Sequence, residues 1–399
     1  MSDINFDVVI TGGGISGLIA GIELAGSGAS VAVISRGDPA VCLSTGCIDL
    51  LALGNDPLSA INELPPVHPY NLVPHTIIEE AIVKFGDIMF DAGLPYIGNV
   101  HSNRKILTPI GNSKTTCLVP RTMETAPQDE TPYVHVIGFK GLKDFYPSYI
   151  TSNRSNTGFS IYDAGVESTM SISSRFDDSG FIEEFIKWLR SLEIPDGRIA
   201  LPAVLGLTEP LKAIELITES TERLVFEIPT LPPSIPGMRL FRILKKALQS
   251  KGGEIFWGLP TASVEKQGKL IEALTIETHA RHTRLNAKAF ILASGSFVSG
   301  GLYADMKDKV QETVFDLPVF VPGTRDSWFG NEFFTRGHEI EKAGILTDSS
   351  FRPVDAPYEN LFVCGSILAH SEVMKNGCGH GLGLATGLAA AKSCERYLS

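Results

Sequence analysis

The stretch FDVVITGGGISGLIAGIELAGSGASVAVISRG, residues 6–37, constrains the fold of this chain more than any other. The apolar run Val8, Val9, Ile10 is short enough for a buried strand, and it enters a glycine loop at once. Gly12, Gly14 and Gly17, with Gly13 and Ser16 among them, stand in the G-x-G-x-x-G spacing. The first glycine permits a tight turn, the second lets a pyrophosphate approach the backbone, and the third lets the following helix pack close to the strand. That helix directs unpaired N–H groups and the positive end of its dipole at the phosphates. Residues 31–34 supply the second strand of a βαβ unit. A strand before the loop, a helix after it and a second strand on schedule point to nucleotide binding.

One part of that fingerprint is missing. About 20 residues beyond the glycines the second strand should end in a carboxylate that holds a ribose hydroxyl pair. Here it ends at Ser35 and Arg36. Ser35 can still make a hydrogen bond to a ribose, and Arg36 either suits a phosphate or is simply a solvated strand end. The missing carboxylate argues against tight NAD binding, weakens the case for FAD and leaves room for a smaller flavin.

A chain of 399 residues can bury two sizeable cores. Its formal net charge of −11, with no basic block, argues against nucleic acid as a partner. The six cysteines contain no C-x-x-C, so neither a ferredoxin-type cluster nor a zinc ribbon is expected, and no metal site is assigned. They read as reduced thiols of a cytosolic protein. The first residues lead directly into the glycine loop, leaving no room for a signal peptide, and no apolar run reaches the roughly 18 residues of a membrane span.

Along the chain, Ser44, Thr45 and Gly46 precede an apolar run read as a helix, which they can cap while also contacting a phosphate or a flavin ring. Residues 54–75 read as connecting loop, 76–92 and 181–192 as helices, 134–139 as a strand and 161–172 as extended. A Pro-rich crossing segment then leads into a helix over 238–251. Arg239 begins that helix and can hold an anionic substrate or a flavin phosphate, or lie on the surface. Residues 289–302 run as a strand into Ser294, Gly295 and Ser296, then Gly300 and Gly301, a second cofactor-facing turn. Residues 302–345 carry Arg325, Trp328, Arg336 and His338, and Arg325 can neutralise a substrate anion. A third strand ends at Gly365 and Ser366. Gly377, Gly379, Gly381 and Gly383 follow and lead into a small-residue helix whose N-terminus can aim at a flavin. His370 and His380 in this region can exchange protons with a reduced flavin or a hydroxyl substrate, or serve as structural histidines.

The expected fold is α/β: a Rossmann-like FAD/NAD(P)-binding domain with an inserted α+β cap. Residues 1–60, 238–301 and 345–399 are assigned to the first and 61–237 and 302–344 to the cap.

The glycine turns at 11–17, 294–301 and 365–383 follow the order used by flavoproteins of the succinate dehydrogenase and fumarate reductase type. More specifically, GGGISGL with ISRG, PTLPPSIPGMRL, ILASGSFVSGGL, TDSSFRP and ENLFVCGSIL resemble the B subunits of bacterial anaerobic glycerol-3-phosphate dehydrogenases. That resemblance implies oxidation of sn-glycerol 3-phosphate to dihydroxyacetone phosphate by a heteromeric respiratory enzyme. It implies FMN in this subunit, with FAD as the alternative, and a sister flavoprotein, the A subunit, as partner. It also implies an iron–sulfur protein, the C subunit, which holds the complex on the cytoplasmic face of the inner membrane. Electrons would pass to quinone, with fumarate or nitrate as terminal acceptor, and membrane contact would come only through the partner. The alternatives are a non-catalytic flavin relay or scaffold, and a free-standing flavin oxidoreductase.

Overall fold

Val8, Val9 and Ile10 are fully buried, as an uninterrupted apolar strand requires, at the centre of a largely parallel sheet covered on both faces. The computed structural model describes residues 2–125, 132–277, 282–332, 337–356 and 358–399. The chain divides into two units. Met1–Ala40, Asp49–Phe85 and Leu244–Ser399 form the first, and Val41–Ile48 and Gly86–Ile243 the second.

In the first unit, β1 (Ser2–Thr11) lies between β2 (Val31–Ser35) and the strand His282–Leu292, parallel to both. Glu254–Trp257 extends the sheet beyond β2, and Leu361–Val363 pairs in parallel with the end of His282–Leu292. Leu270–Glu277 and Thr261–Gln267 complete it as an antiparallel meander. The helix α1 (Ile15–Gly26) packs against the C-terminal helix Gly379–Leu398. Small residues allow this approach: a Cβ on Gly383 would lie 3.4 Å from the Ile15 side chain, and one on Gly387 only 2.6 Å from the Ser16 carbonyl oxygen.

Residues 302–344, expected in the cap, group with the first unit. Hydrogen bonds give the reason. Thr313 N–H donates to Gly301 O at 3.1 Å, and His370 N–H donates to Lys342 O at 2.9 Å. Arg336 lies outside the described residues. Residues 61–85 also join the first unit; their helix, His75–Asp91, is tied to α1 by a Lys84–Glu23 ion pair of 2.6 Å.

The second unit contains a four-stranded parallel sheet in the order Val225–Ile228, Gly197–Pro202, Tyr133–Phe139, Thr157–Tyr162. Phe139, Phe176 and Phe185 form an aromatic cluster within its core, with the helix Ser179–Arg190 contributing Phe185. Two short antiparallel ladders, Tyr96–Gly98 with Leu118–Pro120 and Arg104–Leu107 with Ser113–Thr116, accompany it. Residues 161–172 are not uniformly extended. The strand stops at Tyr162, Gly165 turns with φ +69°, and the Ser168 side chain caps the helix Thr169–Arg175 by accepting from Ser171 N–H. The helix expected after Gly46 is likewise absent, because Ile48 forms a β-bridge with Leu118.

Arg239 is a brace inside the second unit rather than an anion receptor. Its side chain is 2% exposed, its two terminal nitrogens donate to Glu227 at 2.6 and 2.9 Å, and Nε donates to Gly206 O at 2.8 Å. A buried arginine needs this counter-charge because desolvating an unpaired guanidinium is prohibitive. Replacing Arg239 by Met strands the Glu227 carboxylate, so urea denaturation should show a loss of about 3–5 kcal/mol. A paired Arg239→Met, Glu227→Gln variant should recover much of it.

Candidate functional site

Three bends of the first unit meet where the parallel strands end. At the first, Gly12 has φ +122° and its N–H donates to Ile34 O at 2.8 Å. A Cβ on Gly12 would overlap the Ala293 carbonyl, and one on Gly17 would overlap the Gly12 carbonyl. Gly13 lies 2.9 Å, by its missing Cβ, from Ser35. Gly14 differs: among the described residues nothing stands within 4 Å of where its Cβ would be. It is the N-cap of α1, and no side chain caps that helix or places an acid in its first turn. An uncapped N-terminus beside open space is the geometry that receives a phosphate.

The second bend is joined to the first by Ala293 N–H donating to Thr11 O at 2.8 Å. Here Gly295 has φ +74° and Gly300 φ +76°. The Ser294 Oγ is buried and has no hydrogen-bond partner among the described residues. Burying such a hydroxyl without a partner costs about 1–3 kcal/mol, a cost that a bound polar group would remove. The third bend is joined to the second through Cys364 N–H donating to Leu292 O at 2.9 Å, and the Ser366 hydroxyl faces Gly295. Gly365, at φ +84°, donates its N–H to the Thr386 hydroxyl at 2.9 Å. Ser16 lies beneath it, and its side chain hydrogen-bonds the Cys364 sulfur. Burial pushes the Cys364 thiol up to about 12, with Ser16 opposing, so this cysteine is no nucleophile.

The remaining expected residues fall into distinct places. Ser35 is buried and donates to Gly37 O at 2.8 Å, leaving its oxygen able to accept. Arg36 is exposed, no hydrogen bond or ion pair engages it among the described residues, and its guanidinium lies 3.6 Å from where a Gly300 Cβ would stand. Gly379 opens the C-terminal helix with the Val373 side chain 3.8 Å from where its Cβ would be, whereas the missing side chain of Gly381 makes room for Leu50 and the Tyr70 hydroxyl. Gly381 therefore serves packing, and its N–H donates to Asp49 O. Arg325 is also committed: it is exposed, donates to Asp305 O at 2.8 Å, pairs with Asp308 at 3.5 Å and lies over Trp328. It is not positioned as a substrate anchor.

Ser44, Thr45 and Gly46 belong to the second unit. Ser44 Oγ donates to Val41 O at 2.8 Å and accepts from Gly46 N–H. Thr45 Oγ1 lies 3.4 Å from Lys114 Nζ, and Gly46, at φ +76°, leaves room for Pro236.

His370 has φ +60° and its ring packs on Phe320 at 4.4 Å between centroids. Burial lowers its pKa, Lys342 adds to this and Glu372 opposes it, so the imidazole is held neutral. His380 is half-buried in the first turn of the C-terminal helix. Sequence reasoning missed His68, which sits in a segment read as loop and carries no motif. It is 1% exposed, accepts from Tyr70 N–H at Nδ1 and pairs through Nε2 with Ser371 O, both at 3.2 Å. Burial lowers its pKa to about 4, against weaker opposition from the Ser371 bond and Glu372. Among the described residues no group of three or more metal-ligating side chains forms. No helix there is long and apolar enough to cross a membrane.

The chain matches the family described as "FAD binding domain" over residues 7–382. It is 32% identical to the B subunit of anaerobic glycerol-3-phosphate dehydrogenase from Yersinia pseudotuberculosis, over 97% of both chains. Against the protein of the same name from Vibrio vulnificus it is 28% identical, over 98% of this chain and 96% of the other. Among solved structures, 3-ketosteroid delta1-dehydrogenase from Sterolibacterium denitrificans aligns with 98% of this chain and 100% of its own. That alignment has a TM-score of 0.48 and 12% identity.

Gly14→Ala meets open space at an ordinary φ of −77°, so the melting temperature should hold while flavin content per chain falls several-fold. Gly17→Ala should instead lower the melting temperature, because its Cβ strikes the Gly12 carbonyl. For His68, the native pKa of about 4 lies below the ordinary 6.5, so its contribution to stability is complete above about 6.5 and is lost as pH falls toward 4. Between pH 7 and 4.5 the denaturation midpoint of His68→Gln should therefore fall less than that of the wild type.

Proposed function

We propose, from the premise that this chain belongs to the FAD-binding-domain family and to the B subunits of anaerobic glycerol-3-phosphate dehydrogenases within it, that it is the flavin-bearing subunit of such a dehydrogenase. The observation that carries this reading is the end-to-end identity of 32% over 97% of both chains. In this reading the enzyme converts sn-glycerol 3-phosphate to dihydroxyacetone phosphate and passes electrons to quinone, with fumarate or nitrate as terminal acceptor. Its partners are a sister flavoprotein, the A subunit, and an iron–sulfur protein, the C subunit, that keeps the complex on the cytoplasmic face of the inner membrane.

The residues of the first unit fit a flavin nucleotide. The uncapped start of α1, the open side of Gly14 and the unpartnered Ser294 hydroxyl are a donor set suited to a phosphate-bearing ligand. The family's description names FAD, one of the two forms the sequence left open. Arg36 supplies a cation where a dinucleotide fold usually has a carboxylate, and so favours a phosphate over a ribose diol. Bound flavin supplies a two-electron acceptor for a carbon-bound hydride. The protein's share of the oxidation is to take the hydroxyl proton as that hydride leaves C2, so that the carbinol becomes a ketone. A neutral imidazole does this, and His370, held neutral by burial, and His380 are the candidates.

A second reading, electron relay with oxidation in the sister flavoprotein, is favoured by one specific observation. Arg239 and Arg325, the cations expected to hold the substrate phosphate, are both engaged by protein groups.

Anaerobic addition of glycerol 3-phosphate to the purified, flavin-loaded chain should bleach the absorption near 450 nm if oxidation occurs here. Bleaching only after the sister flavoprotein is added selects the relay. A chain that takes up no flavin, with or without partners, would falsify the proposal.

A further inference from the structure

The residues between the third bend and the C-terminal helix adopt an unusual backbone. His370 and Glu372, neither a glycine, have φ of +60° and +37° on either side of Ser371. Non-glycine residues in the left-handed region are strained and persist only where surrounding contacts over-determine them. Those contacts are visible. His370 N–H donates to Lys342 O at 2.9 Å, and Glu341 accepts from Met374 N–H at 3.0 Å. The Ser371 carbonyl between the two strained residues accepts from the Cys378 thiol at 3.7 Å and from His68 Nε2–H at 3.2 Å, the latter reaching across 303 positions of sequence.

His68 makes both of its ring hydrogen bonds in only one protonation state. Its Nδ1 accepts from Tyr70 N–H, so the proton of the neutral ring must sit on Nε2, where it donates to Ser371. The ring is further fixed by stacking on Tyr70, 5.4 Å between centroids, and Tyr70 donates to Leu50 O at 2.7 Å. The charged and titratable groups facing His68 are Glu372, itself paired with Lys375 at 2.7 Å, and His370. Neither hydrogen-bonds its ring.

We infer that His68 is a positioning residue for the proposed reaction: through the Ser371 carbonyl it fixes the backbone that carries His370 and leads to His380. This rests on the flavin-dependent reading above, since it assigns the two histidines to that site. A core histidine would need only burial. A bond to the one carbonyl between two left-handed residues instead sets where their side chains point.

Two substitutions separate the ring's two hydrogen bonds. Asparagine keeps an acceptor near the place of Nδ1 for Tyr70 N–H but cannot reach Ser371. Glutamine places an amide donor near Nε2. In the flavin-loaded chain, combined with the sister flavoprotein where turnover needs it, His68→Asn should keep its flavin stoichiometry but change the visible circular dichroism of the flavin. Its kcat should fall about tenfold or more, as for a misplaced catalytic group, while KM changes by less than about twofold. His68→Gln should match the wild type in dichroism and kcat. Wild-type values in His68→Asn, or equal losses in both variants, overturn the inference. If His68→Asn does not fold, His68→Gln decides alone: wild-type dichroism and kcat support the role, and altered ones overturn it. The dichroism needs no substrate, so failure of glycerol 3-phosphate to bleach the wild type would sink the oxidation reading without deciding the role of His68.

Discussion

The first unit depends on close crossings that only glycine allows. Gly12 passes the Ala293 carbonyl, Gly17 passes Gly12 and Gly387 passes the Ser16 carbonyl, while Gly365 makes room for the Ser16 side chain. Each crossing has no room for a methyl group, and together they draw α1, two strand ends and the C-terminal helix to one place. The consequence is local order with a gap left in it. Because its neighbours are held so closely, Gly14 is left facing open space at the head of an uncapped helix. Steric economy around the loop creates the opening that a phosphate-bearing ligand needs.

Charge is sorted by a different rule. Arg36, Arg239 and Arg325 are equivalent in composition, and all three were candidates for holding an anion. Desolvation separates them. Arg239 is inside the second unit and must be neutralised there, which Glu227 does in bidentate fashion. Arg325 lies among Asp305, Asp308 and Trp328, where a solvated guanidinium finds partners at little cost. Only Arg36, at the end of β2 beside the second bend, stays available to a ligand among the described residues.

The third bend combines both rules. Gly365 gives its N–H to Thr386, Thr386 returns its hydroxyl proton to Leu382 O, and Ser16 reaches the Cys364 sulfur, so the helix and the strand end are hydrogen-bonded as well as packed. Beyond it the chain enters left-handed backbone at His370 and Glu372, held from a distant segment by His68. The surroundings of the His370 ring, Phe320 and Lys342 among them, come from segments well removed in sequence.

Much of the first unit was legible in the order of residues. The strand–glycine–helix–strand pattern of residues 6–37 depends on local sterics, and those are written in the chain itself: where Cβ is absent the backbone can turn, and where apolar residues run together the strand is buried. The two later glycine turns were legible for the same reason. What the sequence could not decide were contacts between distant segments. Whether Gly381 faces a ligand or Tyr70, whether Arg239 meets an anion or Glu227, and whether residues 302–344 join one unit or the other all depend on what lies opposite. His68 illustrates the limit best: nothing in the residues around it marks it, and its role arises only when Ser371 is brought within hydrogen-bonding reach. Local sterics can be read along the chain, whereas burial and the identity of a partner come into being only on folding.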